Sequence, residues 1–385
     1  MMISIKQTID RLKEIWFLLE DKMMARIVYL VCIFLLLATP AWSRVTGLCS
    51  NCHTIHNSQN GTLVDTGGPR EKLLVNSCIG CHSNTGSETI KVIGPAGYQS
   101  RVPIVYTTQE PTYSEEASSN GSSKALAGGN FYWVVHNGDE YGHNVTCIPG
   151  INKDSNFSQT PGFVSGKTCS SCHGSGNMEL TKCVFCHNPK HHGDDSGPVV
   201  GDDEEVKYRF LSLDYYHPSS FQEGSYNFYG VAGIEDDDWE QTVNATDHNE
   251  YCGAASSGDY SGASHSISRF CAACHWGFYG NNTGTMGSWV RHPTDCALPN
   301  SGEYANCTTY NPLAPVARLQ DTLTGMTGPS STVTPGEDQV SCLSCHRPHG
   351  SPYPDILRWD YEGMIAGGGG ADGKGCFVCH TAKDE

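Results

Sequence analysis

One five-residue pattern, Cys-x-x-Cys-His, recurs seven times in this 385-residue chain. The copies are Cys49-Ser-Asn-Cys52-His53, Cys78-Ile-Gly-Cys81-His82, Cys169-Ser-Ser-Cys172-His173, Cys183-Val-Phe-Cys186-His187, Cys271-Ala-Ala-Cys274-His275, Cys342-Leu-Ser-Cys345-His346 and Cys376-Phe-Val-Cys379-His380. Two thiols three positions apart reach both vinyl groups of one porphyrin, and the histidine that follows lies beneath the iron as its proximal ligand. Paired Cys-x-x-Cys also builds zinc sites, but zinc does not require a histidine after every second cysteine, and all seven pairs have one. A thioredoxin-like role needs a single Cys-x-x-Cys beside a βαβ pattern. The motifs therefore predict seven covalently attached haem c groups with bis-thioether linkages.

The proximal histidines are separated by 29, 91, 14, 88, 71 and 34 residues, so three pairs of motifs are close in sequence and the Cys271 motif stands alone. Length alone would allow two or three domains. Only 38% of residues are hydrophobic, however, and 43 are Gly. Sharing residues 44–385 among seven haems leaves about 49 residues for each, too few to bury every cofactor in a domain of its own. The porphyrins must then touch one another and supply the apolar core. The expected fold is mostly irregular coil with short α-helices beside the motifs and few short strands, one of them near Phe131–His136, wrapped around a closely packed haem chain. The formal net charge of −17 excludes a nucleic-acid partner, which needs a basic face.

The apolar run Ile27–Ala38 is 12 residues long, short of the ~20 that span a bilayer. Arg26 precedes it, and Ala41 and Ser43 supply the small residues of a cleavage site. Residues 1–43 are thus read as a signal peptide, with Met23 or Met24 as an alternative start, and 44–385 as a single heptahaem domain. That mature chain keeps 19 Lys/Arg and 37 Asp/Glu and has no membrane span. It is expected to leave the cell through the periplasm.

Each iron needs a sixth ligand unless it is catalytic. The mature chain has four Met (178, 286, 326, 364) and ten His outside the motifs: 56, 136, 143, 191, 192, 217, 248, 265, 292 and 349. Ten suffice for seven bis-His haems, and four do not. His56 and His349 follow a proximal histidine by three residues, an offset that cannot serve the same iron but presents a ligand to a neighbouring one. Of His191 and His192, one is expected to ligate and the other to be spare. His143 and His292 sit in short loop contexts.

Cys147, Cys252, Cys296 and Cys307 remain. In an exported chain an even number suggests disulfides, of which 296–307 with 147–252 is the preferred pairing of the three possible. The acidic clusters Asp202–Glu205 and Glu235–Glu240 read as a solvated face rather than a cation site. The Gly367–Gly370 run reads as a flexible loop.

These contexts resemble the outer-surface multihaem c-type cytochromes of the OmcS/OmcE type, which polymerise into conductive filaments. The stretches that carry the resemblance are Cys-Ser-Asn-Cys-His-Thr-Ile-His-Asn-Ser-Gln at 49–59, Gly-His-Asn at 142–144, Arg-His-Pro at 291–293, Cys-Leu-Ser-Cys-His-Arg-Pro-His at 342–349 and the short tail after Cys379-His380. The resemblance implies that His56 reaches the Cys342/Cys345 haem of a neighbouring protomer, and that His143, His292 and His349 are distal ligands within the chain. Cys169 and Cys183 stand where the six-haem relative has one motif. For the vacancies that remain, His217 and His248 are the choices, with His136 and His265 in reserve. A donor at one end and a vacancy at the other make a heterologous contact that propagates into an open filament.

The resemblance further implies extracellular electron transfer without enzymatic turnover, with copies of itself, other cytochromes and extracellular acceptors as partners. Two alternatives remain open. One is a multihaem reductase of the nitrite or hydroxylamine type with one open iron, although the Cys-x-x-Cys-Lys motif some of these use is absent. The other is a monomeric periplasmic shuttle.

Overall fold

A computed structural model describes residues 45–113, 124–157, 160–162, 183, 186–187, 189–193, 208–211, 230–255, 265–280, 284–286, 289–367 and 373–383. The expected signal peptide, Cys169, Cys172, His173, His217, the Asp202–Glu205 cluster and Gly368–Gly370 lie outside the described residues. Residues 43–385 cohere as one compact unit.

Helical turns occur where the motifs are. Among the described residues the longest helix, Ile267–His275, has nine residues and carries the fifth motif. Ser266 caps it by accepting from the Ser268 and Arg269 amides. The second motif opens a single helical turn, Cys78–Cys81, capped by Ser77. The first, sixth and seventh form 3-10 turns at Cys49–Asn51, Cys342–Ser344 and Gly375–Val378. In five motifs the histidine amide closes the turn onto the first cysteine's carbonyl, at 2.8–3.1 Å. One helical turn puts positions i, i+3 and i+4 on one side, so both thiols and the imidazole face the same way.

Strands are short. A mixed five-stranded sheet runs in the order Cys296–Ala297, Gln339–Val340, Ala317–Arg318, Glu250–Cys252, Gly233–Ile234, with only the Ala317–Arg318 and Glu250–Cys252 pair parallel. Four two-stranded pairs complete the set, the longest joining Ile90–Ile93 to Ser100–Pro103. The fold is thus mostly coil with short elements, as the composition implies. The apolar run near Phe131 differs from expectation. It forms the helix Tyr132–Asn137, because the Asn130 carbonyl Oδ1 accepts the Tyr132 amide and starts the turn. No described helix is long and apolar enough to cross a membrane.

Chain 49–75 and chain 342–358 fold alike. The first motif histidine bridges to Leu74 and the sixth to Leu357. Thr54 N donates to Leu73 O as Arg347 N does to Ile356 O, and Val75 N donates to Cys52 O as Arg358 N does to Cys345 O. Each segment holds two successive left-handed residues, Lys72 and Leu73 or Asp355 and Ile356, at φ between 54° and 58°. That conformation disfavours side chains of this size. Here it turns the Lys72 and Asp355 carbonyls onto the imidazoles of His53 and His346.

The aliphatic core is divided into small clusters. One, around Leu298, Tyr310, Val316 and Trp359, packs directly on Cys345, Cys376 and Cys379. Because irregular chain lacks hydrogen-bond ladders, its buried carbonyls need other donors. Arginines supply them. Arg347 donates to the Leu126 and Ala127 carbonyls, and Arg358 to those of Leu343 and Pro312.

Arg318, buried in the sheet, bonds Glu250 Oε2 at 2.7 Å and Asp338 Oδ2 at 2.6 Å, and also the Thr332 and Ser330 carbonyls. The Glu235–Glu240 cluster, expected to be solvated, is largely interior. Glu235, Asp236 and Glu240 are buried. Glu235 pairs with Arg209 at 2.7 Å, Asp236 accepts the Asp238 and Glu240 amides, and Glu240 accepts the Asn249 amide. Burial, with the Asp238 and Asp247 carboxyls beside it, pushes the Asp236 carboxyl up to about 8.

Removing Arg318 leaves two buried carboxylates uncompensated. Arg318→Met is expected to destabilise the fold by about 3–5 kcal/mol, read as a lower midpoint in thermal unfolding followed by circular dichroism. An unchanged midpoint would show that the pair carries no stability.

Candidate haem sites

The orientation of each described motif imidazole is set at Nδ1. His53 donates to Lys72 O (3.0 Å), His82 to Pro103 O (2.8 Å), His187 to Phe210 O (2.9 Å), His275 to Pro161 O (2.9 Å) and His346 to Asp355 O (2.9 Å). His380 differs, its Nδ1 facing Glu303 Oε1 at 3.2 Å and the Tyr304 hydroxyl at 3.3 Å. A proton held on Nδ1 leaves the Nε2 lone pair for a metal.

Five of these rings face a second imidazole. The pairs are His53–His192 (centroids 6.0 Å apart), His82–His191 (6.2 Å), His187–His349 (5.7 Å), His275–His143 (6.0 Å) and His380–His292 (6.3 Å). Two imidazoles on opposite sides of one metal ion, with metal–nitrogen bonds of about 2.0–2.1 Å, place their centroids roughly 6 Å apart. The spacing therefore leaves room for one iron between each pair.

Protonation also fits. Burial holds His82, His143, His187 and His346 below the ordinary imidazole value. It brings His275 and His191 down to about 4 and His349 to about 3, with neighbouring imidazoles adding to the effect. Neutral imidazole is the form that binds metal.

Several expectations change. His191 and His192 each face a different motif histidine, so neither is spare; adjacent residues in a turn diverge enough to serve two sites. His248 faces none. It is buried, stacked on Tyr310 at 3.5 Å and 11°, with Nδ1 on Asn244 O and Nε2 on Glu250 Oε1. Both nitrogens are engaged, which makes it a core histidine rather than a distal ligand. His136 is exposed against Tyr132, and His265 is buried with Nδ1 on Gly230 O. His56 is exposed on a left-handed residue and meets no other imidazole among the described residues, and His346 likewise has no facing imidazole among them.

The remaining cysteines are also placed differently. Cys147 Sγ lies 4.0 Å from Cys183 Sγ, and Cys307 bonds Cys379. Cys252 and Cys296 point at the carbonyls of Gly253 and Ala297. All four are free thiols, and neither 296–307 nor 147–252 is brought together. Cys307 is turned toward the seventh motif by its 3-10 turn, and Cys252 is locked in the sheet interior.

The motif thiols give the sites an order. Cys52 neighbours Cys81, Cys78 bonds Cys183, Cys186 neighbours Cys271, Cys271 bonds Cys342, and Cys345 neighbours Cys376. The six described motifs thus follow one another in space as they do in sequence.

Residues 334–385 match the doubled CXXCH motif family. The c-type cytochrome OmcS of Geobacter sulfurreducens is 24% identical over 376 residues, a span of 81% of this chain and 78% of that protein. The chain is similar to the OmcS-type cytochromes and carries covalently attached haem c. Two solved structures from the same organism also align. The Outer Membrane Cytochrome S filament does so at TM-score 0.42 and 19% identity, covering 83% of this chain and 85% of that one. The OmcS nanowires do so at TM-score 0.39 and 20% identity, covering 82% and 84%. The matched doubled motif holds His346 and His380, and the like fold of 49–75 and 342–358 extends the doubled arrangement to the amino-terminal pair.

Replacing either His191 or His192 by Ala is expected to convert one low-spin haem to high-spin, whereas His248→Phe converts none. Electron paramagnetic resonance of the oxidised protein reads the difference.

Proposed function

We propose that this protein is an extracellular seven-haem electron conductor that assembles head to tail with copies of itself. The observation that carries the reading is the pairing pattern. Five motif histidines face an imidazole of their own chain, while among the described residues His346 and the exposed His56 each face none. The like fold of the first and sixth motifs supports joining them. His349, three residues beyond His346, reaches across to His187. His56, three residues beyond His53, stands in the equivalent place and has a vacancy of the same kind to fill in a neighbouring copy. Ile55 (69% exposed), Leu63 (64%) and Leu73 (55%) lie around His56 and give that end an apolar rim for the contact.

Haem c supplies a one-electron Fe(III)/Fe(II) couple at each site. The chain's own residues fix the rest. Paired imidazoles leave no open position for a substrate, Nδ1 hydrogen bonds lock ring orientation, and the closeness of successive motifs brings their haems near one another. A site without a facing imidazole is also what a reductase with an open iron requires, so His346 is where the two readings divide.

His56→Ala is the test. The expected result is full haem content (seven per chain by pyridine haemochrome), one new high-spin haem, and discrete particles in place of filaments in electron micrographs. Filaments that persist with every haem low-spin overturn the intersubunit ligand. A wild-type protein that stays particulate, shows a high-spin haem and turns over nitrite or hydroxylamine establishes the reductase instead.

A further inference from the structure

The seventh site is built differently from the other five described. Elsewhere the proximal Nδ1 donates to a backbone carbonyl, a neutral acceptor of fixed strength. At His380 the acceptor is the Glu303 side chain, and the half-buried His380 ring packs edge-on against Tyr304 at 5.1 Å. The 3-10 turn Gly302–Asn306 brings Glu303 and Tyr304 up together. One hydrogen bond fastens that turn to the motif, as Thr381 Oγ1 donates to Glu303 O, and Cys307 at the end of the turn packs beside Cys379. Glu303 is 14% exposed, and Lys383 Nζ approaches its Oε1 at 3.9 Å from a position that is 59% exposed. The acidic side chain is therefore held in place, mostly out of water, against one ligand.

We propose that Glu303 is a positioning residue that makes the Cys376/Cys379 haem the lowest in potential of the six described. Donation of Nδ1–H to a carboxylate raises the basicity of the imidazole at Nε2. A more basic axial ligand stabilises Fe(III) over Fe(II). A negative charge in a poorly solvated setting acts in the same direction, since Coulomb interactions are less screened there. Both effects lower the potential, and no other described proximal Nδ1 is hydrogen-bonded to a carboxylate. Since the seventh motif ends the spatial order of described sites, the step falls at one end of the chain rather than within it. The inference rests on haem attachment at Cys376–His380, which the haem count checks separately.

Glu303→Gln keeps the shape and the acceptor while removing the charge. In a spectropotentiometric titration of the intact protein with its haem count unchanged, the lowest-potential component is expected to move upward. One low-spin signal in the paramagnetic resonance spectrum should change its g-anisotropy. A titration that superimposes on wild type, or a shift confined to other components, overturns the proposal. Should Glu303→Gln lose a haem, Lys383→Gln at the exposed partner carries the test. Removing the cation should move the same component downward, and an unmoved curve overturns the inference.

Discussion

Pairs of facing imidazoles recur at one spacing, and the described fold is organised around meeting that spacing again and again. The described pairs span 5.7–6.3 Å between ring centroids. Their members are far apart in sequence: His82 pairs with His191, and His143 with His275. Each pair is a long-range crosslink that no hydrogen-bond ladder provides. A chain tied at such points needs little regular secondary structure between them. Its strands are correspondingly two to four residues long and its longest described helix nine.

The burial pattern follows from the same constraint. The apolar side chains form separate small clusters instead of merging into one core, and the one around Leu298 and Trp359 packs on motif cysteines. With the backbone irregular, unpaired carbonyls must be met inside, and buried arginines meet them because each offers five donors in a fixed fork. Arg318 joins this role to charge compensation: it binds two carbonyls as well as Glu250 and Asp338. Removing one partner of such a group is far costlier than its net worth suggests, since the desolvated charge stays behind. The acidic cluster at Glu235–Glu240 is interior for a related reason: Arg209, Trp239 Nε1 and backbone amides offer it donors at once.

What the sequence made legible divides along local and non-local lines. The motifs and their proximal histidines are local, since one helical turn contains them, and the structure forms those turns. His143, His292 and His349, singled out by the contexts around them, each lie opposite a motif imidazole. His248 does not: its loop context resembles that of a ligand, and only the fold shows Tyr310 stacked on it and Glu250 at its Nε2. His191 and His192 were misjudged as one ligand and one spare for the converse reason: adjacent residues look redundant until two sites converge on one turn. The disulfide preference failed on distance. Cys296 and Cys307 are close in sequence, yet Cys307 faces Cys379. The Phe131 run shows the limit of propensity, as a single Asn130 carbonyl tips a β-rich segment into a helix. Glu303, a glutamate in a loop, has no sequence signal, because its significance lies wholly in facing His380 across 77 residues.

Charge sharpens what joining copies requires. The chain is acidic, with a formal net charge of −17, and each covalently attached haem c adds two propionates that deepen it when ionised. Like-charged surfaces repel, and at physiological salt the repulsion is felt over about 8 Å. An association of such chains cannot draw its strength from rim ion pairs, which are worth little even when complementary. Two features at the His56 end act at shorter range than that repulsion: the exposed apolar side chains of Ile55, Leu63 and Leu73, and an exposed imidazole that faces no other among the described residues. Coordination to iron is directional and needs one angle of approach, whereas an apolar rim alone would tolerate many. A ligand supplied in trans would therefore set register as well as affinity. The left-handed backbone at His56 and Asn57 fits that role, since an extended residue there would aim the imidazole elsewhere.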